Sequence, residues 1–124
     1  MSKTIFIVED DSFLQGLEAT KLKKEGYDIQ TASTGREVFT IIEKNIKIDL
    51  ILLDLMLPDM DGFEVLKKLR GAPYSLKTPV IVFSNLSEES DIKKAKSFGI
   101  SEFMIKSNFN LDELSKKIKE MIGQ

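Results

Sequence analysis

Each of four short apolar runs in the sequence ends on residues that can do chemistry. Ile5-Phe6-Ile7-Val8 leads into Glu9-Asp10-Asp11, Leu50-Ile51-Leu52-Leu53 into Asp54, Val80-Ile81-Val82-Phe83 into Ser84, and Phe103-Met104-Ile105 into Lys106. Brought together, the carboxylates need a cation, because two like charges ~4 Å apart repel by roughly 4 kcal/mol at an effective dielectric constant of ~20. Oxygen ligands alone select a hard ion, Mg²⁺ or in its place Mn²⁺ or Ca²⁺, and Mg²⁺ commonly joins a couple of carboxylates to a substrate phosphate. With a phosphoryl group held there, Asp54 could attack it in line as a carboxylate nucleophile. Lys106 and Ser84 would then stabilise charge on the equatorial oxygens. Singly, each residue has an ordinary explanation as a helix cap, a solvated turn or a surface lysine. Their recurrence at four successive run ends carries the chemical reading.

Other chemistries are excluded by composition. The 124 residues contain no His and no Cys, so there is no thiolate nucleophile, Ser-His triad, zinc-finger ligand set or disulfide. Catalysis would have to use carboxylates, Lys or hydroxyls.

The elements that must position these residues can be read from hydrophobic patterning. Runs that are apolar on both faces suit parallel strands covered by helices on both sides. Asp28-Ile29-Gln30-Thr31-Ala32, mixed in polarity, suits an edge strand. Between the runs lie stretches of helical spacing, several opening with a small polar residue followed three places on by Glu or Gln: Ser12 with Gln15, Thr34 with Glu37, Asp61 with Glu64 and Asn110 with Glu113. The remaining helix is expected from Ser87, with Glu88 and Glu89 near its positive end. Gly26, Gly71 and Gly99 are expected at left-handed stops, and Pro79 at the opening of the fourth strand. Gly16, inside the first helix at a penalty of ~1 kcal/mol relative to Ala, suggests close packing against a neighbour. The strict βα alternation predicts a doubly wound α/β domain, flavodoxin-like (βα)5, with strand order 2-1-3-4-5. Ligands then bind at the carboxyl ends of the strands, where the four run ends converge.

With 18 Lys+Arg, 20 Asp+Glu and a formal net charge of −2, 42% hydrophobic and 31% charged residues, the chain has the composition of one ordinary globular domain, expected to occupy residues 1–124. No stretch reaches the ~20 apolar residues of a membrane span, and no secretory pattern precedes Glu9, so a cytoplasmic protein is expected.

From Lys3 to Met121 the sequence resembles the receiver domains of two-component response regulators, of the CheY-like stand-alone kind. The resemblance rests on Val8-Glu9-Asp10-Asp11, on Leu52-Leu53-Asp54-Leu55-Met56-Leu57-Pro58-Asp59-Met60-Asp61-Gly62, on Pro79-Val80-Ile81-Val82-Phe83-Ser84, and on Phe103-Met104-Ile105-Lys106. It implies that Asp54 is the phosphoacceptor and that Asp10 and the Met56 carbonyl ligate Mg²⁺ directly, with Glu9 acting through water. Ser84 and Lys106 would bind phosphoryl oxygens, and Phe103 would be the switch aromatic. It also implies a phosphohistidine donor, on a sensor histidine kinase or phosphotransfer protein, and a downstream protein target.

The sequence departs from the family pattern at Ser107, where a proline with a cis peptide usually follows the lysine. A trans Lys106-Ser107 bond with a rearranged loop is expected, because a cis bond to a non-proline costs ~2.5–4 kcal/mol. Met56 and Leu86 at the pocket mouth cannot orient a hydrolytic water, which suggests slow autodephosphorylation. With no extension after the last predicted helix, output is expected through a partner surface, the face of the fourth helix, fifth strand and fifth helix. That face would include Lys93, Lys94, Lys96, Lys116, Lys117 and Lys119, either for a protein target or for phosphorylation-dependent dimerisation of an otherwise monomeric chain. Direct nucleic-acid binding is not expected at net −2. Two rivals stand beside this reading. One is a pseudo-receiver binding module that signals without phosphorylation. The other is an aspartyl phosphohydrolase with turnover, against which Met56 stands where such enzymes carry a second Asp.

Overall fold

The two-sided apolar runs form the inner strands of one parallel sheet in the computed structural model, which describes residues 2–123. β1 (Thr4–Val8), β3 (Leu50–Leu53) and β4 (Val80–Ser84) lie between β2 (Asp28–Ala32) and β5 (Glu102–Ile105), in the order β2-β1-β3-β4-β5. This is the predicted order, and β2 takes the edge that its mixed polarity suits, with Asp28 and Thr31 exposed and Ala32 alone buried.

Successive residues of the inner strands serve opposite faces. Phe6, Val8, Ile51, Leu53, Val80 and Val82 pack with Val38 of α2 (Gly35–Ile42), with Val65, Leu66 and Leu69 of α3 (Gly62–Arg70), and with Ala95 of α4 (Glu89–Lys96). Ile5, Ile7, Leu50, Leu52, Ile81 and Phe83 pack with Leu22 of α1 (Ser12–Lys24) and with Leu114 and Ile118 of α5 (Leu111–Ile122). Fully burying each such side chain stabilises by ~1.5–3 kcal/mol, and both faces are dry, so slippage of any inner strand by one residue would exchange the two sets. Val8 pairs with Leu53, Leu53 with Val82, and Ser84 with Ile105. The residues that follow β1 and β3 are therefore neighbours, and Lys106 emerges beside the end of β4.

Several local expectations are corrected. Asp11, rather than Ser12, caps α1, accepting from the amides of Phe13 and Leu14. Gln15 does not reach back to a cap; its amide donates to the carbonyls of Glu9 and Ala32, fastening α1 to the ends of β1 and β2. At α3, Asp61 caps through Phe63, with no reciprocal bond from Glu64. The Thr34 and Asn110 caps stand, and Asn110 with Glu113 forms the full reciprocal box. α4 opens at Glu89 with Glu88 in the cap position and no side-chain cap bond, two residues after the expected Ser87. Gly26 and Gly99 have positive φ as expected, but Gly71 has φ −97 and leaves α3 in extended conformation while its amide still bonds the Lys67 carbonyl. Gly16 does not pack closely: it is exposed, and a Cβ there would meet nothing within 4 Å. Pro79 immediately precedes β4, and its carbonyl accepts from Ile51.

Candidate functional site

Parallel pairing delivers the ends of β1, β3 and β5 to one spot. Lys106 Nζ donates to Asp54 Oδ2 and lies against Glu9 Oε1, each at 2.6 Å. Both carboxylates are buried, and the ammonium is nearly so. Backbone amides hold the remaining oxygens: Asp54 Oδ1 accepts from Met56 at 3.0 Å, and Glu9 Oε2 from Asp11 at 3.1 Å. Such charge-assisted bonds fix the carboxylates before anything binds. Burial pushes the Glu9 carboxyl above its ordinary range, and Lys106 and the Asp11 amide only partly oppose this. For Lys106 burial works downward, but the bonds to Asp54 and Glu9 outweigh it and raise the ammonium's pKa.

Carboxylate oxygens of Glu9, Asp10 and Asp54 lie within 4.8 Å of one another, and Asp10 is exposed at the mouth. Two buried carboxylates and one open one, with a single ammonium between them, form a donor set that fits a hard divalent cation. Asp11, the third acid of the run, serves as the α1 cap. The open groove beside Asp10 has a volume of about 640 Å³ and is lined by residues 55–61.

That lining loop is tightly constrained. Gly62 donates to the Leu55 carbonyl at 3.0 Å, and a Cβ at Gly62 would lie 2.3 Å from Leu55 Cα. Met56 bridges to Asp61 in antiparallel fashion. Asp59 reaches across to α2, its two oxygens accepting from Gly35 at 2.7 Å and Arg36 at 3.0 Å, and those amides lower its pKa. The sequence reading gave Asp59 no role; its signal was an acid positioned to meet the open amides of a neighbouring helix start.

Of the expected site residues, Glu9, Asp54 and Lys106 are in contact and Asp10 adjoins them. Ser84 is fully buried at the end of β4, and its hydroxyl oxygen accepts from Leu86 at 3.4 Å. The Met56 side chain is 52% exposed at the groove, whereas Leu86 packs against the core. Phe103 is half-buried against the core layer beneath α2, α3 and α4. The Lys106-Ser107 bond is trans, as expected, and residues 106–108 form a 3₁₀ turn. Of the lysines expected on the output face, Lys94 lies over the Phe63 ring of α3 and Lys119 pairs with Glu25 at the end of α1, while Lys93 and Lys117 pair with Glu89 of α4 and Glu102 of β5.

A second residue missed in the sequence is Glu18. It is buried on α1, and its carboxyl is pushed up to about 8, first by burial and next by the negative charge of Glu9. The available signal was an acid sharing the α1 face with Gln15 and Leu22.

Residues 5–119 match the family model described as the response regulator receiver domain. The chain is 33% identical over 123 residues to the transcriptional regulatory protein CrdR of Helicobacter pylori, covering 99% of this chain and 56% of that protein. It is 35% identical over 118 residues to the cell cycle response regulator CtrA of Brucella ovis, covering 95% and 49%. It thus spans about half the length of these two relatives. A receiver domain protein (CheY-like) from Methanospirillum hungatei superposes with a TM-score of 0.88 at 30% identity, covering 98% of this chain and 94% of that one. The chemotaxis protein CheY4 of Vibrio cholerae gives 0.86 at 25%, covering 98% and 99%. Among the described residues no helix is long and apolar enough to cross a membrane.

Proposed function

The chain belongs to the response regulator receiver family of two-component signalling, and on that premise we propose that it is a phosphoacceptor switch with Asp54 as the residue modified. The observation that carries this reading is the single contact cluster of Glu9, Asp54 and Lys106, with Asp10 beside it. Glu9, Asp10, Asp54 and the Met56 carbonyl would hold Mg²⁺, or Mn²⁺, which when bound neutralises charge on the phosphoryl oxygens. An Asp54 carboxylate oxygen forms the new P–O bond while the P–N bond to a donor histidine breaks. The electron pair of that bond leaves with the imidazole. Lys106, released in part from Asp54 as that charge is shared with phosphorus, follows it onto a phosphoryl oxygen. Ser84 offers its hydroxyl hydrogen from the end of β4, while its oxygen accepts from the Leu86 amide.

Output follows from the elements those residues stand on. Ser84 begins the β4-α4 connection and Phe103 is on β5, so a shift of Ser84 biases the loop and the packing of Phe103, favouring one of two pre-existing arrangements of the α4-β5-α5 face. The donor is a sensor histidine kinase or phosphotransfer protein, and the receiver of the output is a partner protein in the cytoplasm. Retention of both buried carboxylates with their lysine supports this over a module that signals without phosphorylation. The test is intact-protein mass spectrometry after incubation with acetyl phosphate, with and without Mg²⁺. One phosphoryl adduct that requires Mg²⁺ and is lost in Asp54→Ala is expected; no adduct from acetyl phosphate or from a phosphohistidine donor would favour the unphosphorylated module.

A further inference from the structure

Nothing in the phosphoryl chemistry above uses Glu18. It lies about one turn beyond Gln15 on the α1 face that also carries Asp11 and Leu22. Its side chain is buried, and Oε1 has no hydrogen-bond partner among the described residues. A desolvated carboxylate without a compensating partner is much less stable than the neutral acid, so Glu18 holds a proton at neutral pH. The charged groups that act on it are Glu9 at the end of β1, Asp54 at the end of β3, Lys106 after β5 and Asp11 at the head of its own helix. Of these, Lys106 alone favours the ionised form. α5 meets α1 through apolar Leu114 and Ile118, and its charged Asp112 and Lys119 pair with Lys21 and Glu25. Gln15, one turn earlier on the same face, donates to the Glu9 carbonyl, so Glu18 stands about one turn of helix from the end of β1, where Glu9 meets Lys106 and Lys106 meets Asp54; the groups that bear on Glu18 are the groups of the acidic pocket.

The geometry points to Glu18 as a buried proton-releasing group coupled to that pocket: when a divalent cation enters among Glu9, Asp10 and Asp54, the Glu18 O–H bond breaks, the electron pair stays on the carboxylate and the proton leaves to solvent. The inference rests on the reading of the pocket as a divalent-cation site. The physical cause is that the incoming positive charge cancels the repulsion from Glu9 and Asp54 that helps keep Glu18 neutral. By linkage, cation binding then tightens as pH rises through the Glu18 titration. Each unit by which the cation lowers the Glu18 pKa appears as about a tenfold rise in cation affinity. The full chain would accept phosphate more readily under mildly alkaline conditions at limiting Mg²⁺.

The test is calorimetric titration with MgCl₂ alone between about pH 7 and pH 9, in two buffers of different ionisation enthalpy so that released protons are counted. Wild type, Glu18→Gln and Glu18→Leu are compared. Wild type is expected to tighten several-fold with pH and to release up to one proton. Both variants are expected to bind with the weaker low-pH affinity of wild type, with neither slope nor release over this range. Carboxyl ¹³C NMR of wild type needs no substitution: the Glu18 signal should titrate at lower pH with Mg²⁺ than without. An equal slope and proton count in the variants, or a Glu18 signal unmoved by Mg²⁺, would overturn the inference. Failure of Mg²⁺ to saturate any of the proteins would instead remove the cation-site reading, and the inference with it.

Discussion

Replacing Lys106 by Met keeps an unbranched aliphatic stem and deletes only the ammonium that separates two buried acids. Glu9 and Asp54 would then face each other with oxygens within 4.8 Å, a repulsion of about 3–4 kcal/mol at an effective dielectric constant of ~20. Protonation is the competing route. Placing a proton at about pH 7 on a carboxyl whose ordinary pKa is 4.5 requires about 3 kcal/mol. The two routes are close, so the expected destabilisation is about 3 kcal/mol at neutral pH, at the lower edge of the range for breaking a buried pair. The sign with pH is fixed by proton uptake. The variant raises a folded-state carboxyl pKa above its unfolded value, so the penalty is full at high pH and shrinks by about 1.4 kcal/mol per unit as pH falls toward 5. In wild type, where the Lys106 pKa is raised, its contribution holds below the ordinary value of 10.5 and is lost as pH rises through the raised one. Urea unfolding of both proteins at several pH values, with and without millimolar Mg²⁺, reads these quantities, and Mg²⁺ should recover part of the loss. A penalty below about 1 kcal/mol at neutral pH, or one unchanged at pH 5, would refute the reasoning.

Two further outcomes follow from the loop that lines the groove. Gly62→Ala should destabilise by about 1–3 kcal/mol and weaken Mg²⁺ binding together, because the added methyl meets Leu55 backbone, which cannot yield without moving the segment between Asp54 and Asp61; chemical denaturation and a Mg²⁺ titration check both. Met56→Asn should hasten loss of phosphate from the modified protein, since it places a group able to orient water at the exposed groove wall where a thioether now stands; decay followed by mass spectrometry that is unchanged or slower would count against this.

The sheet was legible because its inner strands are apolar on both faces, a pattern that leaves few alternatives to a covered parallel sheet. The site was legible for the same reason, since the pocket residues are the first polar residues after those runs. Helix starts were less so. Ser12 and Gln15 match a capping pattern, yet Asp11 offers a stronger acceptor one residue earlier, and the Gln15 amide finds two carbonyls at the strand ends. Gly71 shows that a glycine after a helix marks an end without fixing a left-handed turn. Lys94 and Lys119 look like one charged stripe on paper, but the first stacks on Phe63 and the second turns to Glu25. Glu18 was missed because a glutamate in a helix ordinarily reads as surface, although its place on the α1 face of the buried Leu22 hinted that it turns inward.

The most direct measurement is to locate the modification. The protein, phosphorylated with acetyl phosphate and Mg²⁺, is reduced with borohydride, which converts an aspartyl phosphate to homoserine, and its peptides are sequenced by tandem mass spectrometry. Conversion confined to Asp54 is the predicted result, whereas conversion at Asp10, Asp59 or another acid with Asp54 intact would contradict the assignment of the phosphoacceptor.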